Sequence, residues 1–423
     1  MKQIKAILIG AGDRGTTYTD IMANMPEKFK VVALAEPVPD RLSHVKELHK
    51  IPDNMCFSDY KPLLALGKIA DIAIIATMDR NHFEPAMKVI DLNYDLLLEK
   101  PITPTPEECI ALRDNAKKHG VRVVICTVLR YTYLFDKIKE IIDSGKIGDV
   151  MAIDHEECVG FVHQSHSFVR GRWGNSERSS VMLLQKSCHD IDLLQWLVGK
   201  KCKKVQSFGA RSYFRKENAP EGSPEYCIQG CPVGDTCPYN AVKLYFDDKQ
   251  NNWFRRSSTN LYNPTDDDVK KAITETQYGK CVYKCDNDVV DHQTVNMLFD
   301  DDVTVTFTMS AFTIDGRHIH VMGTKGQIRA ALSGNTPIKV YNVITKEQEE
   351  IECSGSNSIT AGHGGGDTGI VETLYDYITG NYNGCRVPTI EESCYNHLIV
   401  FAAEQSRKEN RVVDMDEFIK SLK

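Results

Sequence analysis

Residues Ile4 to Gly15 read Ile-Lys-Ala-Ile-Leu-Ile-Gly-Ala-Gly-Asp-Arg-Gly, and this stretch decides the fold. Ile4 to Ile9 has the length and near-continuous apolar character of a strand buried on both faces of a parallel sheet. It ends at Gly10-Ala11-Gly12-Asp13-Arg14-Gly15, a G-x-G-x-x-G turn, and Thr16 to Met25 continues as a helix. Gly10 permits a tight turn, Gly12 lets the backbone approach a pyrophosphate, and Gly15 lets the helix pack close to the strand. The helix N-terminus then faces the phosphate charge. The motif alone is weak, and its context strengthens it. A second strand, Val31 to Ala35, ends in Glu36, 21 residues past Gly15, where an acidic side chain can bind ribose hydroxyls. Glu36 favours NAD over NADP, because a carboxylate repels a 2′-phosphate. Arg41, a helical turn later, offsets part of that repulsion and leaves some use of NADP open.

Working outward, apolar strand segments recur at Ile72 to Ala76, Leu96 to Leu98 and Val121 to Cys126, separated by amphipathic helical stretches. This βαβ series predicts an α/β protein whose residues 1–130 form a dinucleotide-binding Rossmann domain. The chain has 423 residues, more than one hydrophobic core usually spans, so residues 131–423 form a second domain. With 42% hydrophobic and 26% charged residues the composition is that of a globular protein, and no apolar run is long enough for a membrane span. The short run after Met1 is ended too soon by glycine to serve as a secretory signal, so a soluble, cytoplasmic protein is expected. A net charge of -7 argues against a general grip on nucleic acid or anionic lipid. A small molecule is the expected partner.

Further motifs give a resemblance. The Asn81-His82 pair before a helix, Glu99-Lys100-Pro101 directly after a strand, Arg130-Tyr131, and Cys188-His189-Asp190-Ile191-Asp192 followed by Leu193-Leu194-Gln195-Trp196 join the glycine turn. Together they make the chain similar to the glucose-fructose oxidoreductase, inositol dehydrogenase and MocA family, over nearly its whole length. The resemblance implies a Rossmann domain followed by a C-terminal α/β domain with a large, mainly antiparallel open sheet. That sheet often serves as the oligomer interface, so a homodimer or homotetramer is implied, with the substrate between the domains. Thr304 to Met309 and His318 to Met322 alternate like half-buried strands, in agreement. The cofactor set is then Gly10, Gly12, Asp13, Arg14, Gly15, Glu36, Thr77, His82, Glu99 and Lys100.

Oxidising an alcohol carbon by hydride transfer needs a base for the hydroxyl proton and a positive group for the developing alkoxide. Lys100, at the strand's carboxyl end, suits the second role. In the resembled family an Asp and a His four residues apart on one helix face usually act as the acid-base pair. Here those positions are Gln185 and His189. An amide cannot accept the proton, so His189 becomes the preferred base. Lys186 is a rival base, and Asp190 or Asp192 is placed to orient the histidine. Arg130, Tyr131 and Gln185 are expected on the substrate. So are His163, His166, Arg172 and Trp173, which read as one loop able to bond hydroxyls and stack on a sugar face. His363-Gly364-Gly365-Gly366-Asp367 is expected as a flexible turn that brings His363 and Asp367 to the substrate.

A cysteine-rich insertion occupies about residues 215–290. Cys227, Cys231, Cys237 and Cys281 are the candidate ligands of a structural zinc, replacing a core that an irregular loop cannot build; unligated thiols are the plain alternative. Three functions follow: an NAD-dependent dehydrogenase of a carbohydrate or cyclic polyol; a glycoside hydrolase acting through transient oxidation at C3 and elimination; and a non-catalytic NAD-binding sensor, motivated by Gln185. Lys100 and His189 speak against the last.

Overall fold

A computed structural model describes residues 2–314, 316–334, 336–353 and 363–422, the last without the His363 side chain. The five predicted strands, joined by the unpredicted Cys56–Phe57, assemble into a six-stranded parallel sheet of β1 (Ile4–Ile9), β2 (Phe29–Ala35), β3 (Cys56–Phe57), β4 (Ile72–Ile75), β5 (Asp95–Leu98) and β6 (Val123–Ile125), in the order β3-β2-β1-β4-β5-β6. The order reverses between β1 and β4, which opens a crevice at their carboxyl ends, where ligands bind in such sheets. Helices cover both faces: α1 (Asp13–Ala23), α2 (Pro39–His49), α3 (Phe83–Asp91) and α4 (Pro106–His119). Local chemistry sets their ends. In α4 the Thr105 hydroxyl accepts from the Glu108 N–H, Pro106 opens the first turn, and Gly120 closes the helix at φ 65°. Helix α1 starts three residues earlier than the apolar pattern suggests, so Asp13, Arg14 and Gly15 form its first turn.

The second sheet has nine strands: β7 (Val150–Cys158), β8 (Cys202–Ala210), β9 (His292–Phe299), β10 (Thr304–Ser310), β11 (Gly316–Gly323), β12 (Gly326–Ala331), β13 (Ile338–Asn342), β14 (Gln348–Ile351) and β15 (Val413–Asp414). Their order is β14-β13-β12-β11-β7-β10-β9-β8-β15, antiparallel except for the β7 and β10 pair. Period-two alternation decides the faces. Ile153, His155 and Glu157 of β7 and Val305, Phe307 and Met309 of β10 are buried, while Asp154, Glu156, Thr304 and Thr306 are exposed. The inner face packs under α5 (Cys188–Val198) and the 20-residue helix near the C-terminus, Ile390–Glu409.

The two sheets share one apolar core, because Ile390–Glu409 packs against both α4 and α5. The helix Gly366–Thr379 also returns to the first domain, where Ile370, Val371 and Leu374 pack with Ile4, Tyr18 and Met22. Between β8 and β9 lie α6 (Asn252–Thr259) and α7 (Asp266–Glu275) with two small apolar clusters of their own. One of these buries the stretch expected as a sugar-binding loop. Gln164–Arg170 is a π-helical turn buried throughout, because Phe254 and Tyr245 of the insertion cover it. Among the described residues no helix is long and apolar enough to cross a membrane.

Candidate active site

At the crevice between β1 and β4 the three glycines meet different demands. A Cβ on Gly15 would lie 2.0 Å from the Gly10 carbonyl oxygen, so only glycine lets α1 start against the strand end. Gly10, at φ 90°, faces the Ala76 carbonyl oxygen, which a Cβ there would approach to 2.7 Å. A Cβ on Gly12 would meet only the Arg41 guanidinium, at 3.6 Å, which leaves space over that peptide. The Glu36 carboxylate stands beside the turn and accepts from the Ala11 N–H at 2.6 Å and the Val38 N–H at 2.9 Å. This cradle fits a dinucleotide: backbone N–H groups at a helix N-terminus for the diphosphate, and a carboxylate at the next strand end for the ribose. A cleft of about 410 Å³ adjoins it, with Ala11, Gly12 and Thr16 on one wall and Arg256 and Tyr262 of the insertion on the other.

Lys100 follows β5, and its ammonium donates to the Gln185 carbonyl at 2.6 Å and lies 6.0 Å from the Trp173 ring centre. That bond holds the lysine against the segment leading into α5, whose second residue is His189, 5% exposed. The backbone behind Lys100 is braced from two sides. His82 is fully buried with one ring nitrogen on the Pro101 carbonyl (2.7 Å) and the other on the Thr77 carbonyl (3.1 Å). His397 accepts the Ile102 N–H at Nε2 (3.0 Å) and donates from Nδ1 to the Ser393 carbonyl (2.8 Å). Lys186 pairs with Glu157 at 3.4 Å.

Several expected site residues also make contacts inside the protein. Arg130 makes a bidentate pair with Asp192 (2.6 and 2.9 Å), and the Asn396 amide donates to the same carboxylate; all three are buried. Asp190 accepts from His155 (2.9 Å) and Arg317 (2.8 Å), and Arg317 also pairs with Glu157. Burial works to raise the Asp190 carboxyl, but Arg317 and His155 outweigh it and hold it below the ordinary range. Each aspartate is thus paired with a buried arginine. Asp367 binds Arg14 at 2.6 Å, and Arg14 also reaches Glu99 (2.9 Å) and Tyr18, so Arg14, Glu99 and Asp367 tie the two domains together. His166 is buried among Trp253, Phe254 and Tyr278, and burial followed by Arg170 lowers it to about 3. His163 meets the Trp253 ring edge-on with centres 5.3 Å apart, and Arg172 donates to Asn260 at 2.9 Å. Gln185 is buried on the Ser180 hydroxyl at 2.9 Å, and Tyr131 is buried between the domains. The side chain of His363 lies outside the described residues.

The four zinc candidates line one pocket but do not fit a metal centre. Among the described residues the one group of three or more ligand atoms close enough to share an ion is Glu156, Cys158 and His318. In the cysteine pocket the Arg170 guanidinium lies 3.6 Å from the Cys227 sulfur and places a cation where a metal would sit. Burial raises the Cys237 and Cys281 thiols and pushes Cys285 to about 12, and these residues pack beside Phe214, Tyr239 and Tyr283. All 14 cysteines are unbridged.

Asp79 is a candidate site residue that sequence reasoning missed. It is 5% exposed, and burial raises its carboxyl, partly offset by His82, Lys100 and the Trp173 indole. It stands four residues past the end of β4, at the sheet edge that the glycine turn had already marked.

Family models match this architecture in two blocks: "Oxidoreductase family, NAD-binding Rossmann fold" at residues 4–127, and "Oxidoreductase family, C-terminal alpha/beta domain" at 139–415. The chain belongs to the GFO_IDH_MocA oxidoreductase family. Within it, the chain is 24% identical over 382 residues to YteT of Bacillus subtilis (strain 168), provisionally named an oxidoreductase, with 84% of each chain covered. It is 25% identical over 214 residues to the inositol 2-dehydrogenase of Salmonella typhimurium, covering 49% of this chain and 58% of that one. The solved fold of scyllo-inositol dehydrogenase from Lactobacillus casei, with bound NAD(H) and scyllo-inositol, superposes with a TM-score of 0.67 at 17% identity. That match covers 98% of this chain and 100% of the other.

Proposed function

We propose that this chain oxidises a CH–OH carbon of a carbohydrate or cyclic polyol, with NAD as hydride acceptor. The observation that carries the reading is the Lys100 ammonium, fixed 2.6 Å from the Gln185 carbonyl where the Rossmann crevice meets the segment leading into α5. NAD, when bound, supplies an electrophilic ring that takes the carbinol hydride. His189 takes the hydroxyl proton, and Lys100 stabilises the negative charge that develops on that oxygen. Trp173, beside Lys100, is placed to stack on the apolar face of a ring.

The reading is tested by offering the NAD-loaded protein inositols, free sugars and glycosides and following nicotinamide absorbance together with product formation. Net NADH with a keto product supports it. In the same assay His189→Ala is expected to lose the limb on which rate rises with pH, and an unchanged profile would remove the histidine from base duty. A second reading, glycoside hydrolysis through transient C3 oxidation, is favoured by the cleft wall that the insertion builds beside the glycine turn. An enclosed cofactor suits a cycle that returns its hydride, and glycoside turnover without net NADH would select that reading.

A pH dependence follows from His397. Burial lowers this imidazole to about 4, with the Ser393 carbonyl pulling the other way. An unfolded histidine titrates near roughly 6.5. Between these values the unfolded chain binds a proton that the native chain refuses, so stability falls as the pH drops through that window. The slope is about 1.4 kcal/mol per pH unit from this group. Urea unfolding at pH 7 and pH 5 checks it, and His397→Gln is expected to flatten that part of the slope.

A further inference from the structure

The insertion does more than fill space between β8 and β9. Its segment from Arg256 to Asn263 reaches across to the Rossmann domain and is fastened there by two kinds of contact. The Tyr262 and Asn263 N–H groups donate to the Asp40 carboxylate of α2, at 2.5 and 3.2 Å. The Tyr262 ring stacks on the His44 ring with centres 3.7 Å apart and planes 19° apart. The Arg256 guanidinium lies over the other partner of that stack, 3.9 Å from the Tyr262 ring centre. Asn260, which ends α6 in the left-handed region, also accepts from Arg172.

These contacts place Arg256 and Tyr262 on the wall of the cleft whose opposite wall is the glycine turn. Arg41 overhangs Gly12 from α2, so two guanidinium groups border the space beside the first turn of α1. The acidic groups facing the cleft are Asp13 and Asp20, and Asp20 already pairs with His44 at 3.0 Å. Burial, opposed by Glu36 and aided by Arg172, lowers the Arg41 guanidinium from its ordinary value. An anion entering the cleft would oppose that effect of burial by favouring the charged guanidinium. A pair of guanidinium forks beside a helix N-terminus matches a diphosphate.

We infer that Arg256 to Asn263 is a clasp that closes over the dinucleotide, with Arg256 as a cofactor-binding residue contributed by the insertion. The clasp slows release, because a bound dinucleotide leaves only after the Tyr262 stack and the Asp40 bonds part. The inference rests on the cofactor site and not on the identity of the substrate.

The test uses the full chain without substrate. Apo protein is titrated with NAD by calorimetry, and release is timed by displacing bound NADH, followed by its fluorescence, with excess NAD. Arg256→Ala and Tyr262→Ala are each expected to raise the Kd about tenfold or more and to speed release, consistent with loss of one charge-assisted or stacked contact. NAD carried through purification should fall in parallel. Arg215→Ala, on the insertion but away from the clasp, should leave all three unchanged. Arg256→Gln, which keeps much of the side chain's bulk, guards against misfolding and should behave like Arg256→Ala. Kd and release rate within about twofold of the wild type in both folded Arg256 variants would overturn the clasp.

Discussion

Lys100→Met is expected to lower turnover by roughly a hundred- to a thousand-fold while leaving the Kd for NAD within about a factor of two. The reason is positional. The ammonium stands at the carboxyl end of β5, held on the Gln185 carbonyl, and contributes little to the glycine cradle around β1. A group that meets charge only as it develops on the carbinol oxygen lowers the barrier without tightening ground-state binding. The variant should therefore keep its KM and lose kcat. Steady-state kinetics combined with NAD titration separate the two, and a variant with wild-type kcat would remove Lys100 from the chemistry.

The second large effect is on stability. Arg130→Met leaves the Asp192 carboxylate, 1% exposed, without its cation and is expected to cost about 3–5 kcal/mol. The lower urea midpoint should come without a change in KM for the folded fraction. Arg130→Met combined with Asp192→Leu should recover much of the loss, because no buried charge then remains alone. A raised KM at unchanged stability would instead return Arg130 to the substrate, where the sequence alone had placed it.

The contrast between Lys100 and Arg130 shows what was legible in the sequence. Each parallel strand is a short apolar run and each glycine turn a local pattern, so the first domain could be read residue by residue. Lys100 was legible for the same reason, since its position depends on the strand just before it. The partners of Arg130, His166 and Arg14 lie 62, 79 and 353 residues away in Asp192, Tyr245 and Asp367, and no local pattern announces them. A buried cation and a substrate-binding cation look alike until the opposing carboxylate is placed. The insertion misled in the same way. Its cysteines have ligand-like spacing, but its aromatic residues build a core, and Arg170 takes the position a metal would need.

The central claim is that Lys100 and His189 converge on one carbinol held against the nicotinamide ring. A crystal structure with NAD and an inositol measures this directly. The predicted result has one hydroxyl within hydrogen-bond reach of both the Lys100 ammonium and the His189 ring, with its carbon about 3–3.5 Å from the hydride-accepting carbon. A polyol bound on other residues, or a nicotinamide ring turned away from Lys100, would contradict it.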